Sequence, residues 1–236
     1  MVNSILHSQW CFYVPVINPA TYQPPAPAPL DIVFADDVLL VLNKPSGLLS
    51  VPGRGPAHAD SLAVRVQQEF PEALIVHRLD METSGLMVMA RDRDTHRLLG
   101  HAFETRQVNK VYEAIVTGMP DTQSGEIDLP LICDWPNRPR QMIDHFRGKP
   151  SLTRYRVLDY DPNSDTARLE LKPVTGRSHQ LRVHMQAIGH SIVGDSLYAD
   201  SKARELADRL LLHATSFEFS HPTTGNQLIF NSSSPF

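Results

Sequence analysis

From Leu30 onward, apolar residues along the 236-residue chain fall into short runs that read as elements of one folded domain. IVF at 32–34 and VLLVLNK at 38–44 flank ADD, the pattern of two short strands around a turn. KPSGLLSVPG follows as a loop punctuated by Pro and Gly. In DSLAVRVQQEF (60–70), Leu62, Val66 and Phe70 share one helical face, and Asp60 is placed to cap it. GLMVMA (85–90) is an unbroken apolar run of a length that suits a fully buried strand. DTHRLLGHAFETR (94–106) predicts a second helix with Leu98, Leu99, Ala102 and Phe103 on one face. Strands are predicted at 110–117, 152–160 and 166–173, the last two joined by the turn DPNSD. HQLRVHMQAIG reads as a helix stopped by Gly189, and KARELADRL as another. LLLHATSFEF and QLIF close the chain as a hairpin around HPTTGN. Strands outnumber helices and neighbours pair as hairpins, so the class is α+β: a mixed, largely antiparallel central sheet flanked by helices.

The first 29 residues differ. PVINPATYQPPAPAP (15–29) holds six of the 19 prolines and reads as an extended, flexible arm ahead of a domain at 30–236. No apolar run reaches the roughly 18 residues of a membrane span. The first Lys or Arg is Lys44, so the N-terminus lacks the basic region of a secretory signal. Cys11 and Cys133 form no CxxC and no disulfide framework, which suits a reducing cytoplasm. Net charge is −4, yet Arg138–Arg182 carries ten Lys or Arg against five acids, a local +5 that leaves −9 for the remainder. A basic face on an acidic protein is therefore possible, although a solvated surface stretch has the same charge pattern.

Metal and phosphate-loop chemistry find no support. His179 and His184 are five apart, with no Glu placed between them as in HExxH. GRGP (53–56) and TGRSHQ (175–180) match no nucleotide-binding loop, and no GxSxG supports Ser84 as a nucleophile. Thr83 and Ser84 read instead as residues that hold their loop through backbone hydrogen bonds. HRLDMETSGL (77–86) is the informative stretch: a lone acid, Asp80, beside cations on a polar loop that feeds the buried strand. By itself such an Asp is more often a turn former. LKPVTGRSHQLRVHM (171–185) adds a cluster of cations, with Arg177 projecting after a glycine. A carboxylate beside an arginine stays ionised and oriented, and is then competent as nucleophile or base.

These segments resemble the RluA-type pseudouridine synthases. HRLDMETSGL is similar to that family's HRLDxxTSG signature, and NKPSGLLSVPG (43–53), NKVYEAIVTG (109–118), LKPVTGRSHQLRVHM, VGDSLYA (193–199) and LLLHA (210–214) follow in the family's order. DLPLICDWPNRPRQ (128–141) is similar to the RluA subgroup, which acts on large-subunit ribosomal RNA and transfer RNA. No small RNA-binding S4 domain is visible ahead of the catalytic domain. With monomer as the default state, the resemblance implies a cofactor-free, metal-free isomerase whose partner is structured RNA. It detaches uracil at N1–C1′, turns it, and joins C5 to C1′. It also implies roles for residues. Asp80 is the essential aspartate, whether it attacks C1′, attacks the ring or removes a sugar proton. Tyr112 packs on the target base, Arg177 pairs with Asp80, and Leu212 is an apolar pocket wall. Apart from the resemblance, a guanidinium plane can stack on bases, which makes Arg78 the candidate to fill the space left by the everted base. His77, His179, Arg138 and Arg140 are further RNA contacts, while Lys44 and Lys172 are either RNA contacts or surface charges. Two rivals fit part of the pattern: a catalytically silent RNA-binding assembly factor on the same fold, and a nucleoside hydrolase, for which Glu82 is the nearest second carboxylate.

Overall fold

A computed structural model describes residues 22–236. The expected α+β class is borne out by twelve strands and four α-helices among those residues. β1 (Ile32–Ala35) and β2 (Leu39–Lys44) form the first hairpin, and α1 (Leu62–Glu69) leads to the short β3 (Leu74–Ile75). β4 (Ser84–Ala90), α2 (Arg93–Glu104) and β5 (Asn109–Thr117) follow. Next come β6 (Ser124–Asp128), β7 (Leu131–Cys133), β8 (Gln141–Ile143), β9 (Leu152–Asp161) and β10 (Thr166–Pro173). α3 (Gln180–Ala187), α4 (Ser201–Glu205), β11 (Leu212–Ser220) and β12 (Gln227–Asn231) complete the chain. The main sheet runs β1-β2-β4-β11-β5-β10-β9-β6, with β12 beside β11 and β3 beside β4, while β7 and β8 make a separate ribbon.

β11 is the keystone of this sheet. It pairs antiparallel with β5 and parallel with β4, where His213 and Ala214 face Ser84 and Gly85. All other ladders of the sheet are antiparallel. The β4–β11 approach needs Gly85: at its φ of 111° a Cβ would lie 2.4 Å from the Ala214 carbonyl oxygen. Every residue of β4 is buried, as its unbroken apolar run predicts. Two core clusters flank this junction, one built on β2, β4 and α1, the other on β5, β10 and α3.

Several local expectations are corrected. The cap of α1 is Ser61, whose Oγ accepts from the Val64 amide, while Asp60 holds Arg65 in a two-pronged pair. The helix expected over 202–210 ends at Glu205, because Leu210 belongs to the second core and the Leu211 amide donates to the Val193 carbonyl. β3, β6, β7 and β8 are too short or too polar to stand out from periodicity. Of the Pro-rich arm, residues 1–21 lie outside the described residues. From Tyr22 onward the arm is extended but anchored: Tyr22 Oη donates to the Asp60 carbonyl and accepts from the Leu49 amide, and Arg65 donates to the Pro25 carbonyl.

Candidate active site

HRLDMET forms the loop entering β4, and it rests on the loop that leaves β2. The Gly47 amide and Lys44 Nζ both donate to the Met81 carbonyl, and Ser46 Oγ donates to Glu82 O. Ser50 Oγ donates to Leu79 O and accepts from the Leu79 amide. Lys44 is 1% exposed, with two further acceptors in Pro45 O and Leu48 O, so it is neither an RNA contact nor a surface charge. Burial lowers its pKa to about 7 against the opposing pull of Asp80. Lys172 is exposed and pairs with Glu170 at 3.0 Å. Ser84 does not bond to backbone as expected; its hydroxyl meets His213 Nδ1 at 2.8 Å and accepts from Arg209.

The Asp80 side chain, 23% exposed, opens into a cleft of about 560 Å³ lined by the loop, α2, β5 and the segment 173–182. Arg78, Arg106, Lys110, Arg177 and Arg182 line this cleft, against two acids, Asp80 and Glu104. A locally cationic site thus lies on an acidic chain. Tyr112 and Leu212 are walls of the same cleft, brought there by the β10–β5–β11 register: Tyr112 faces Leu171 and Ala214, and Leu212 faces Ala114. Burial, then the Asp80 charge, raises the Tyr112 phenol, so it is un-ionised at neutral pH. Leu212 is also a member of the second core cluster.

The pairing expected of Arg177 falls to Arg182. Arg182 Nη1 is 3.5 Å from Asp80 Oδ2, its Nη2 is 3.3 Å from Glu82, and its Nε and Nη2 clamp Asp195 at 2.8 and 2.7 Å. Arg177 lines the cleft but is exposed, and its Nε donates to Pro150 O at 3.4 Å. The cause is local. His179 adopts a left-handed φ of 53° at the start of α3, and Arg182, in the first turn of that helix, is 2% exposed. A lone arginine among Leu181, Val183 and Met185 was the available signal, since an arginine inside an apolar run must find buried acids. Burial opposes the Arg182 charge, but the hydrogen bond and charge of Asp195, with Asp80 and Glu82, carry its pKa upward.

His179 Nε2 lies 3.8 Å from Asp80 Oδ1, and its Nδ1 shares a 2.7 Å hydrogen bond with Tyr198 Oη. Burial is the leading effect and lowers its pKa. His77 lines the cleft, and its own contacts are to the protein. Its Nε2 accepts from the Val88 amide and its ring stacks on Phe103, 4.6 Å between centroids. Burial holds its pKa near 3, so the ring is a neutral prop of the loop. Arg78 is exposed at the cleft, with no ion-pair partner among the described residues. Arg138 and Arg140 lie outside the cleft lining, over Trp135 (3.8 Å) and Tyr198 (5.4 Å). Among the described residues no three His, Cys, Asp or Glu side chains group as a metal site, and no helix is long and apolar enough to cross a membrane.

The family model described as RNA pseudouridylate synthase matches residues 38–187. The chain belongs to that family. Dual-specificity RNA pseudouridine synthase RluA of Escherichia coli K12 is 51% identical over 91% of this chain and 98% of its own. The RluA of Vibrio vulnificus is 52% identical over 85% of this chain and 82% of its own. Among solved structures, human RNA Pseudouridylate Synthase Domain Containing 1 superposes with a TM-score of 0.75 at 30% identity, covering 91% of this chain and 87% of that one. The chain is accordingly an RNA pseudouridine synthase, an isomerase of the RluA type.

Proposed function

We propose that this synthase modifies uridines in large-subunit ribosomal RNA and in the transfer-RNA anticodon stem-loop, as a cofactor-free, cytoplasmic monomer with Asp80 as its catalytic carboxylate. The observation that carries this reading is the Asp80 carboxylate, oriented by Arg182 inside a cleft rich in cations.

The target uridine swings out of its stem-loop into the cleft, because no carboxylate reaches C1′ of a stacked nucleotide. Tyr112 and Leu212 supply apolar surface for the uracil. Arg182 spends its shortest contacts on Asp195, so Asp80 is oriented at a longer 3.5 Å and keeps oxygen lone pairs for the nucleotide. N1–C1′ breaks, C5–C1′ forms, the C5 hydrogen leaves as a proton, and N1 regains one. Arg78, exposed beside the cleft, stacks where the base was.

The deciding experiment is tritium release from stem-loop RNA labelled at uridine C5. Asp80→Asn should fold and bind RNA but release tritium at least about 10³-fold more slowly, since a side chain forming a covalent or proton-transfer transition state is worth that much. Release at the wild-type rate overturns the assignment. Free uracil in place of a mass-neutral product would mark a hydrolase. An inactive wild type that binds RNA tightly would mark a silent assembly factor.

A further inference from the structure

The ribbon β7–β8 and the turn after it carry the most exposed aromatic surface among the described residues. Phe146 is 99% exposed and Trp135 66%. The Phe146 turn is tightly held. Asp144 Oδ1 accepts from the Phe146 and Arg147 amides at 2.9 Å, and the Gly148 amide donates to Asp144 O at 2.8 Å. Gly148 has no room for a side chain: a Cβ would sit 2.3 Å from the Asp144 carbonyl oxygen. Leu131 and Lys149 exchange backbone hydrogen bonds at the base of the turn. A phenylalanine fixed in water at the tip of such a turn contributes nothing to the core.

The turn is linked to the cleft by two routes. Pro150 O accepts from Arg177, a cleft residue, and Pro150 is four positions on from Phe146, at most about 14 Å when extended. The Gln141 amide of β8 donates to Tyr198 Oη, which bonds His179, whose Nε2 is 3.8 Å from Asp80. Of the two aromatics, Trp135 has Arg138 3.8 Å from its ring centroid, whereas Phe146 is left open. Lys149, three residues on, is exposed and has no ion-pair partner among the described residues. A lone aromatic ring flanked by His145, Arg147 and Lys149 is not the contiguous apolar core of a protein interface. It is the arrangement that binds an unpaired base beside its phosphate.

We propose that Phe146 is a stacking platform for an unpaired nucleotide of the substrate loop, adjacent to the everted uridine, with Lys149 on its phosphate. The proposal rests on the RNA stem-loop reading above and adds a determinant of which loops are accepted. The turn then senses a base that the catalytic cleft does not touch.

The test uses the full chain and a stem-loop substrate carrying 2-aminopurine at each loop position in turn. Wild type should quench the probe by stacking at one position outside the target. Phe146→Ala should abolish that quenching and weaken RNA affinity about 5- to 150-fold, the range for one base on one ring. Its melting temperature should be unchanged. Phe146→Trp should retain affinity, and Phe146→Leu, apolar but without a π face, should behave like the alanine variant. An abasic nucleotide at the quenched position should erase the difference between wild type and Phe146→Ala. Equal affinity and quenching in wild type and Phe146→Ala overturn the proposal, as does a leucine variant that keeps full affinity. If wild type itself releases no tritium from any stem-loop, the functional reading fails instead, and this proposal with it.

Discussion

Arg182 serves three carboxylates at once, Asp80, Glu82 and the fully buried Asp195. Arg182→Met should therefore do more than slow the reaction. It strands Asp195 without its counter-ion, which costs about 3–5 kcal/mol, so denaturant midpoint and tritium release should fall together. Arg177→Ala, at an exposed position, should leave the midpoint within about 0.5 kcal/mol of wild type and act on RNA affinity. If Arg177→Ala unfolds the protein and Arg182→Met does not, the two assignments are reversed. Which arginine meets the aspartate was the part of the site that the amino-acid pattern left hidden. Both lie within TGRSHQLR, and the choice turns on a left-handed backbone at His179, which is uncommon for a residue with a Cβ. Asp80, Tyr112 and Leu212 were legible through the resemblance, because HRLDMETSGL, NKVYEAIVTG and LLLHA each stand as a continuous motif in the sequence. Lys44 was not, because a lysine beside Pro-Ser-Gly reads as surface until its three carbonyl acceptors are seen.

At the scale of elements, the loop bearing Asp80 has almost no structure of its own; it is held by the β2–α1 loop beneath it. Lys44→Met would leave the Pro45, Leu48 and Met81 carbonyls without their shared donor. Each deprived buried group costs about 1–3 kcal/mol. Stability should drop by roughly that much or more, and RNA binding less than turnover, because the displaced group is Asp80 and not the phosphate contacts. Equal losses in affinity and turnover would count against this division. Gly85→Ala drives a Cβ into the Ala214 carbonyl at a positive φ. The strain and overpacking should cost about 2–5 kcal/mol, read as a lower chemical-denaturation midpoint. The core strands and the hairpins β1–β2, β9–β10 and β11–β12 were readable from apolar runs and turn residues. The β7–β8 ribbon was not, since three-residue strands in DLPLICDWPNRPRQMI carry no period long enough to register.

For the whole molecule, charge is sorted: the cleft is cationic while the chain as a whole carries −4. RNA affinity should therefore weaken with salt. With Arg78, Arg106, Lys110 and Arg177 available to phosphates, the slope of log K against log salt should lie near about −3, from roughly 0.7–0.9 per contact. A flat dependence would leave the cleft cations without that role. Stability should also depend on pH through His213, which bonds Ser84 and Ser232. Burial, reinforced by the Arg209 charge, lowers its pKa to about 4. The unfolded imidazole titrates near its usual 6.5, so between 6.5 and about 4 the unfolded chain takes up a proton that the folded chain refuses. The stability present above 6.5 should thus decline as pH falls, by up to about 3 kcal/mol for this group. His213→Asn should make the fall in melting temperature between pH 7.5 and 5 shallower without abolishing it, since His77 refuses a proton over the same range; an unchanged slope would assign the effect elsewhere.

The placement of β11 also bears on when the protein becomes an enzyme. Leu212–Ser220 lies in the last 25 residues, yet it sits in the middle of the sheet, joining the half that carries Asp80 to the half that carries Tyr112. A nascent chain that has not yet emerged past residue 212 is two open-edged half-sheets with no pocket between them. Chemistry therefore has to wait until β11 is made, and a chain cut short before it should be inert toward RNA and exposed to aggregation at the same two edges.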